Sequence, residues 1–361
     1  MIHVGKESKF CPDLKVHGQT MHKEESAKYL GDIFHKSGKA KFNIIERQNK
    51  AYAILAEIRA ILEDVPLGKY RTEVGLHLRQ AMFINGVLFN SEVWPELSAT
   101  DLTMLEKGDH RLIRSICQAH AKTPLEFLYM ETSAQPLCHI MCSRRLMYLH
   151  NILSRDEHEL VKRVFVAQRN QPSKGDFVEL IKTDLNMIGE ADEAVVKGKD
   201  NMEFENFIKP KIQEAAWKYL QTLQEKHTKT KHILYTKLDI QPYMTDPKFT
   251  NKMVSTLFSM RSSMTRGIKV NFPSMHMGDL ACPLKCQAPD QQSHLMLCPV
   301  LLASLTSAEE EATRSTSYDD IYGAVDDQHR AILILARLLK IREGLLESLP
   351  VDSHTGPDDS I

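Results

Sequence analysis

The chain has 361 residues, 42% hydrophobic and 26% charged, with a formal net charge of -1. That length allows roughly two to three domains with real cores, and the near-neutral balance removes bulk charge as an argument for nucleic acid. No apolar run approaches the roughly 18 residues of a membrane span, and the N-terminus lacks the apolar region of a secretory signal.

Residues 1–40 read as extended, with Leu14–Gly18 and Lys28–Phe34 as short strand candidates punctuated by Gly18 and Gly38. From Asn43 the period becomes helical: Ile44, Gln48, Ala51, Leu55, Ile58 and Leu62 alternate steps of four and three. Pro66 interrupts, and a second helix is expected from Lys69 to Leu88, closed by Asn90–Trp94 and Pro95. A third begins at Ser98 or Thr100 as N-cap and carries Leu102, Leu105, Leu112, Ile113 and Ile116. Thr123-Pro124 and Gln135-Pro136 start two more, the second running through Arg144-Arg145 to Leu153.

Pro172, Gly175, Gly189 and Gly198 make residues 170–200 read as a linker, and Asn206 to Lys229 reads as helix again. Beyond Leu301 the chain is acidic, with a polar loop expected as far as Tyr322. A last helix from Asp327 to Ser348 has Ile334, Leu338, Ile341 and Leu345 on a wide apolar face that also takes in Ile332, Leu335 and Leu339. The tail after Pro350 reads as disordered. The expected fold class is mainly α, with a short N-terminal β segment.

Seven cysteines follow no disulfide-scaffold spacing, so they read as reduced thiols of an intracellular protein, nuclear or cytoplasmic. Three of them join one histidine in a compact pattern, C-x3-C-x7-H-x3-C: Cys282, Cys286, His294 and Cys298. Structural zinc takes four N or S ligands in a tetrahedron. Two thiolates separated by three residues fit one tight turn, and His294 and Cys298, at i and i+4, fit one helical turn. With four protein ligands there is no position for a catalytic water, so Zn2+ is expected in a structural role. The alternative for the same residues is three buried thiols beside a surface histidine. Cys138, His139 and Cys142 read as helix residues, because no further ligand pair lies near them. Cys117 and His120 make no case for a nucleophile, and there is no glycine-rich phosphate loop.

Four segments resemble the C-terminal half of a non-LTR (LINE-type) retrotransposon reverse transcriptase. Lys28-Tyr29-Leu30-Gly31-Asp32-Ile33, with Ser37-Gly38, is similar to the strand pair near the primer grip. Asn90-Ser91-Glu92-Val93-Trp94 is similar to the motif after the second thumb helix, and Leu105-Glu106 with Leu112-Ile113-Arg114 to the helix that follows. Arg144-Arg145-Leu146-Met147-Tyr148-Leu149 resembles the region beyond the thumb, and the CCHC motif then stands in the family's order.

The resemblance spans about residues 1–345 and implies this organisation: palm-end strands in 1–40, a thumb-like helical domain in 41–120, a helical linker region in 121–275, a zinc knuckle in 276–302, an acidic loop and C-terminal helix in 303–350, and a tail in 351–361. The catalytic palm, whose clustered carboxylates hold Mg2+ in the full-length parent enzyme, is not found. Tyr318-Asp319-Asp320 is flanked by polar residues and follows the zinc motif, so it reads as a solvated loop rather than a polymerase box. The implied function is that of a reverse transcriptase fragment that binds RNA or DNA, as a template–primer duplex or element RNA, without polymerising.

Phosphate contacts would supply most of that grip. The candidates are Lys50, Lys69, Arg71, Arg79, Arg114, Arg144 and Arg145, with Arg47, Arg59 and Arg111 beside them. Arg144-Arg145 stands first as a bidentate donor pair. A second basic stretch holds Lys226, His227, Lys229, Lys231 and His232, and a third, before the zinc motif, Arg261, Arg266 and Lys269. The competing expectation is a non-catalytic protein-interaction module, with zinc as a folding staple and self-association through helix 327–348.

Overall fold

The computed structural model describes residues 15–17, 19–20, 24–29, 31–196, 198–231, 233–276 and 279–348. The expected tail, His232, Cys11, and the ends of the first strand candidate at Leu14 and Gly18 lie outside them. The fold is mainly helical, with two short antiparallel strand pairs at the N-terminal end: β1 (Lys15–Val16) with β2 (Gln19–Thr20), and β3 (Ser26–Tyr29) with β4 (Asp32–His35). The segment Lys28–Phe34, expected as one strand, is a hairpin. Gly31 adopts φ +88°, which a residue with a Cβ seldom tolerates, and the chain reverses there so that Lys28 faces Ile33.

The first helical packet comprises α1 (Lys41–Leu62), α2 (Lys69–Leu78), α3 (Asn85–Val87) and α4 (Ala99–Ile116). A π-helical segment, Arg79–Ile84, joins α2 to α3, so the helix expected over 69–88 is continuous but locally widened. Ser98 caps α4 in a reciprocal capping box with Asp101. Ile44, Ile58, Leu62, Phe83, Leu105 and Leu112 are fully buried between these helices. Gly75 permits the approach of α2 to α4, since a Cβ there would meet Ile116 at 2.8 Å.

After α5 (Leu125–Thr132), α6 (Leu137–Ser154) carries the chain into a second packet with α7 (Leu160–Asn170), α8 (Phe177–Met187) and the first half of α9 (Asn201–Glu225). The expected linker at 170–200 therefore contains a packed helix. Val178, Ile181, Leu185 and Ile188 recur at steps of three and four and are buried against α6. Its N-cap is Asp176, which accepts from the Glu179 amide.

The third packet gathers α5, the second half of α9, α10 (Asn251–Arg261), α11 (Pro299–Leu302), α12 (Ser307–Arg314) and α13 (Val325–Glu347). α12 replaces part of the expected acidic loop, capped reciprocally by Thr306 and Glu309. Tyr318–Tyr322 is a 3-10 turn rather than a solvated loop: Ile321 is fully buried and the Tyr318 hydroxyl meets Gln292 at 2.5 Å. A buried ion pair lies at the heart of this packet. Arg261 donates to Glu131 at 2.8 Å and to the Ile321 carbonyl at 2.8 Å, while Tyr235 and Tyr243 donate to the same carboxylate at 2.6 Å each. No helix among the described residues is long and apolar enough to cross a membrane.

Candidate metal centre

The donor atoms of Cys282, Cys286, His294 and Cys298 all lie within 4.8 Å of one another, and they form the one metal-capable cluster found among the described residues. The Cys286 and Cys298 sulfurs are 3.8 Å apart, and Cys286 Sγ lies 3.0 Å from His294 Nε2. Tetrahedral zinc with Zn–S bonds of ~2.3 Å sets thiolate sulfurs roughly 3.8 Å apart. The donor set therefore fits zinc in composition and, to within small side-chain adjustments, in size.

Local backbone geometry brings these groups together. Lys285 and Gln287 take left-handed φ values of 60° and 65°, curling the chain between and just after the first two cysteines. The Lys285 amide donates to the Cys282 carbonyl at 3.0 Å, and the Cys282 amide to the Ala288 carbonyl at 2.8 Å. His294 sits in a 3-10 turn, Gln292–Met296, and Cys298 is the N-cap of α11. The single helical turn expected for this pair is thus two elements, with Pro299 at the first position of the second. Leu295 is fully buried beneath the cluster, whereas Leu297 is exposed.

Desolvation pushes the Cys282 thiol up to about 12. At Cys286 desolvation acts the same way, but hydrogen bonds from the Ala288 amide and the neighbouring thiols outweigh it and hold the group below its ordinary value. His294 is held below its ordinary value by desolvation, with Arg342 adding to the effect. A neutral imidazole and a thiolate-prone cysteine are the forms a zinc ion binds. The supporting shell is as specific as the ligands. Asp290 receives both terminal nitrogens of Arg342 from α13, at 2.6 and 2.8 Å, and the Lys269 amide at 2.9 Å. Gln292 donates to the Met260 carbonyl at 2.7 Å. The knuckle is therefore built into the third packet: Leu295, Cys298 and Leu301 share its core with Leu335 and Leu338. Sequence reasoning missed Asp290 and Arg342. Their pairing spans 52 residues and has no local signature.

The basic residues divide sharply. Lys50, Lys69 and Lys231 are exposed, as are Arg59, Arg111, Lys226 and Arg266. Arg71 is buried and caps helix-end carbonyls, donating to Ile116 at 2.9 Å, to Ser115 at 2.7 Å, and to Leu62 and Val65. Arg79 is buried in a two-point pair with Asp109, 2.7 Å at each point, and also donates to the Gln135 carbonyl. Arg47 is buried against Asp32, and Arg261 against Glu131. Arg114 is half-buried, donating to the Thr123 carbonyl at 3.1 Å. Lys229 donates to the Asn271 carbonyl at 3.2 Å, and Lys269 pairs with Asp279.

The pair Arg144-Arg145 does not converge on one ligand. Arg144 reaches the Leu88 carbonyl and Asn85, whereas Arg145 makes two bonds to Asp184 at 2.6 and 2.7 Å. Adjacent helix positions point about 100° apart, so consecutive arginines serve two different neighbours. Arg71, Arg79, Arg144 and Arg145 therefore hold helices together in this conformation and do not present a phosphate-binding face.

Two of the segments quoted for the family resemblance meet in space. Asp32 accepts from Asn43 at 3.0 Å and Arg47 at 2.5 Å through one oxygen, and from Asn90 at 2.7 Å through the other. The apolar face of α13 is covered by the chain itself: Ile332, Leu335 and Leu338 are fully buried against α10 and the knuckle. Self-association through that face would require unpacking it. No protein-family profile, curated protein or solved structure matches this chain.

Proposed function

We propose that this chain is a nucleic-acid-binding portion of a non-LTR reverse transcriptase, holding thumb-like helices and a zinc knuckle without the catalytic carboxylates. The observation that carries the reading is the cluster of Cys282, Cys286, His294 and Cys298, sized for one zinc ion. The contact of Asp32 with Asn90 supports it by uniting two segments quoted for the resemblance. When bound, zinc would supply a fixed tetrahedral crosslink and no reacting water, since four protein donors occupy its sphere. The chain's own residues then do the binding, through exposed cations such as Lys50, Lys69 and Lys231. Polymerisation, with Mg2+ at the primer end, belongs to the parent enzyme.

Metal analysis of the purified chain should give one zinc per chain, lost in Cys286→Ser. Fluorescence anisotropy with a short labelled RNA should show binding that weakens steeply with salt and weakens again in that variant. Absence of RNA binding at low salt by the zinc-loaded chain would overturn the proposal, as would robust primer extension by the chain alone.

A further inference from the structure

The three thiols of the metal-capable cluster differ in access. Cys282 and Cys298 are 5% and 0% exposed, and Cys286, the half-buried member, is the one most open to solvent. It sits in a turn between two exposed residues, Lys285 and Gln287, whose left-handed backbones curl the chain around it. We infer that a hydroperoxide oxidises Cys286 and that Cys298 then closes a Cys286–Cys298 disulfide, which expels the zinc ion and takes over its crosslink; this rests on the zinc reading above.

Access and reach select the pair. An oxidant must meet the first sulfur from solvent, and susceptibility follows exposure. The second sulfur need not be exposed, because it attacks from within the fold. Cys298 Sγ lies 3.8 Å from Cys286 Sγ. A disulfide holds its sulfurs at ~2.05 Å, so the two must close by roughly 1.8 Å, a shift that side-chain rotation supplies. The half-buried thiol is thus the one attacked, and the buried thiol is the one that resolves.

The position of the resulting ring is the second observation. The residues between Cys286 and Cys298 carry the anchors of the knuckle to the third packet. Asp290 receives Arg342 of α13 at 2.6 and 2.8 Å and the Lys269 amide at 2.9 Å. Gln292 donates to the Met260 carbonyl at the end of α10 at 2.7 Å, and Leu295 is fully buried in the same packet. A Cys286–Cys298 bond encloses all three anchors in one covalent ring, so they keep a brace when the metal leaves. Cys282 lies outside that ring. A bond from Cys282 to Cys286 would brace the first turn alone.

The chemistry balances with hydrogen peroxide as oxidant. The Cys286 thiolate attacks one peroxide oxygen, the O–O bond breaks, and hydroxide leaves; the sulfur is now a sulfenic acid once it shares the remaining O–H. The Cys298 thiolate attacks that sulfur and displaces a second hydroxide. Two protons from water convert both hydroxides to water. The two sulfurs together lose two electrons, which reduce the two peroxide oxygens, and zinc leaves as Zn2+ with its charge unchanged. Cys282 and His294 remain as two donors of the original four, too few for a closed tetrahedral site.

The sequence provides a direct readout. Trypsin cuts after Lys285, and no Lys or Arg follows until Arg314, so Cys286 and Cys298 share the peptide 286–314 while Cys282 falls in the peptide 270–285. The full chain is assayed for zinc, treated with hydrogen peroxide beside a chromophoric zinc chelator, alkylated and digested. One zinc should be released per disulfide, the 286–314 peptide should be two hydrogens lighter, and Cys282 should be alkylated. Dithiothreitol with added zinc should restore the parent. The oxidised chain should melt above the reduced chain stripped by chelator, because the ring replaces the metal. Cys138→Ser, which alters a half-buried thiol on α6, should release zinc as the parent does.

Zinc retained under an about tenfold excess of peroxide would overturn the inference, as would its release with Cys286 driven to sulfinic or sulfonic acid. A cross-link joining the 270–285 and 286–314 peptides would overturn the assigned pair, and an oxidised chain melting no higher than the stripped one would overturn the replacement of the crosslink. In each of these cases the zinc reading survives, since the parent carried its metal at the start. A parent without zinc ends both.

Discussion

Arg47, Arg71, Arg79, Arg261 and Arg342 are buried, while Lys50, Lys69, Lys122 and Lys231 are exposed. The reason is the chemistry of the two cations. A guanidinium is planar, weakly hydrated and shaped for two-point contact, so it can be taken out of water where a carboxylate or several carbonyls meet it; an ammonium holds its hydration more tightly. Sequence reading cannot make that division, because each arginine's partner lies far along the chain, as Asp109 does from Arg79. Glu106 shows the opposite imbalance. Desolvation, with Asp109 adding its charge, raises its carboxyl to about 7. The folded chain therefore keeps a proton that the unfolded chain has released, and stability falls as pH rises from the ordinary value of 4.5 towards about 7. Glu106→Gln carries no charge at either extreme. Its melting temperature should exceed the parent's at about pH 8, and the gap should narrow at about pH 5. An equal gap at both pH values would contradict this account.

At the scale of elements, strong periodicity was legible and weak context was not. α1, α4, α6 and α13 follow their apolar spacing closely, and the Ser98 cap forms as its residue type suggests. α8 and α12 hid within charged, glycine-bearing or acidic stretches. The overlooked signals were short: Asp176 with Glu179, and Thr306 with Glu309, each three residues apart ahead of a helix. α13 teaches a different lesson. Its apolar width was legible, but whether that face meets another molecule or the chain's own core depends on what the fold brings beside it. Leu338 is fully buried in the third packet. Leu338→Asp should therefore destabilise the chain by more than ~4 kcal/mol in denaturant titrations. Light scattering should show no concentration-dependent mass for the parent; a parent dimer that Leu338→Asp converts to a folded monomer would contradict this arrangement.

At the scale of the whole molecule, the cluster of Cys282, Cys286, His294 and Cys298 is built into one packet and is not an appended finger. The Asp290–Arg342 pair couples the knuckle to α13, and Gln292 couples it to the end of α10. A zinc ion held by all four donors would favour the folded state, so its removal should lower stability by mass action. Chelation should lower the melting temperature by at least ~5 °C and broaden the far-UV transition, with α13 amides losing hydrogen-exchange protection along with those of the knuckle. Retained protection across α13 after complete zinc loss would show that the helix stands without the metal.

The amino-acid sequence determined the mainly helical class, most long-helix positions and the four residues of the metal-capable cluster, because each is written in local spacing: steps of three and four for a helix face, and a compact C-x3-C-x7-H-x3-C for the cluster. Only the tertiary structure decided which cations remain in solvent, which apolar face is already covered, and which thiol of the cluster is most open to solvent. Those outcomes depend on burial and on partners tens of residues away, and the free energy of a charge or a thiol is set by its surroundings rather than by its place in the chain.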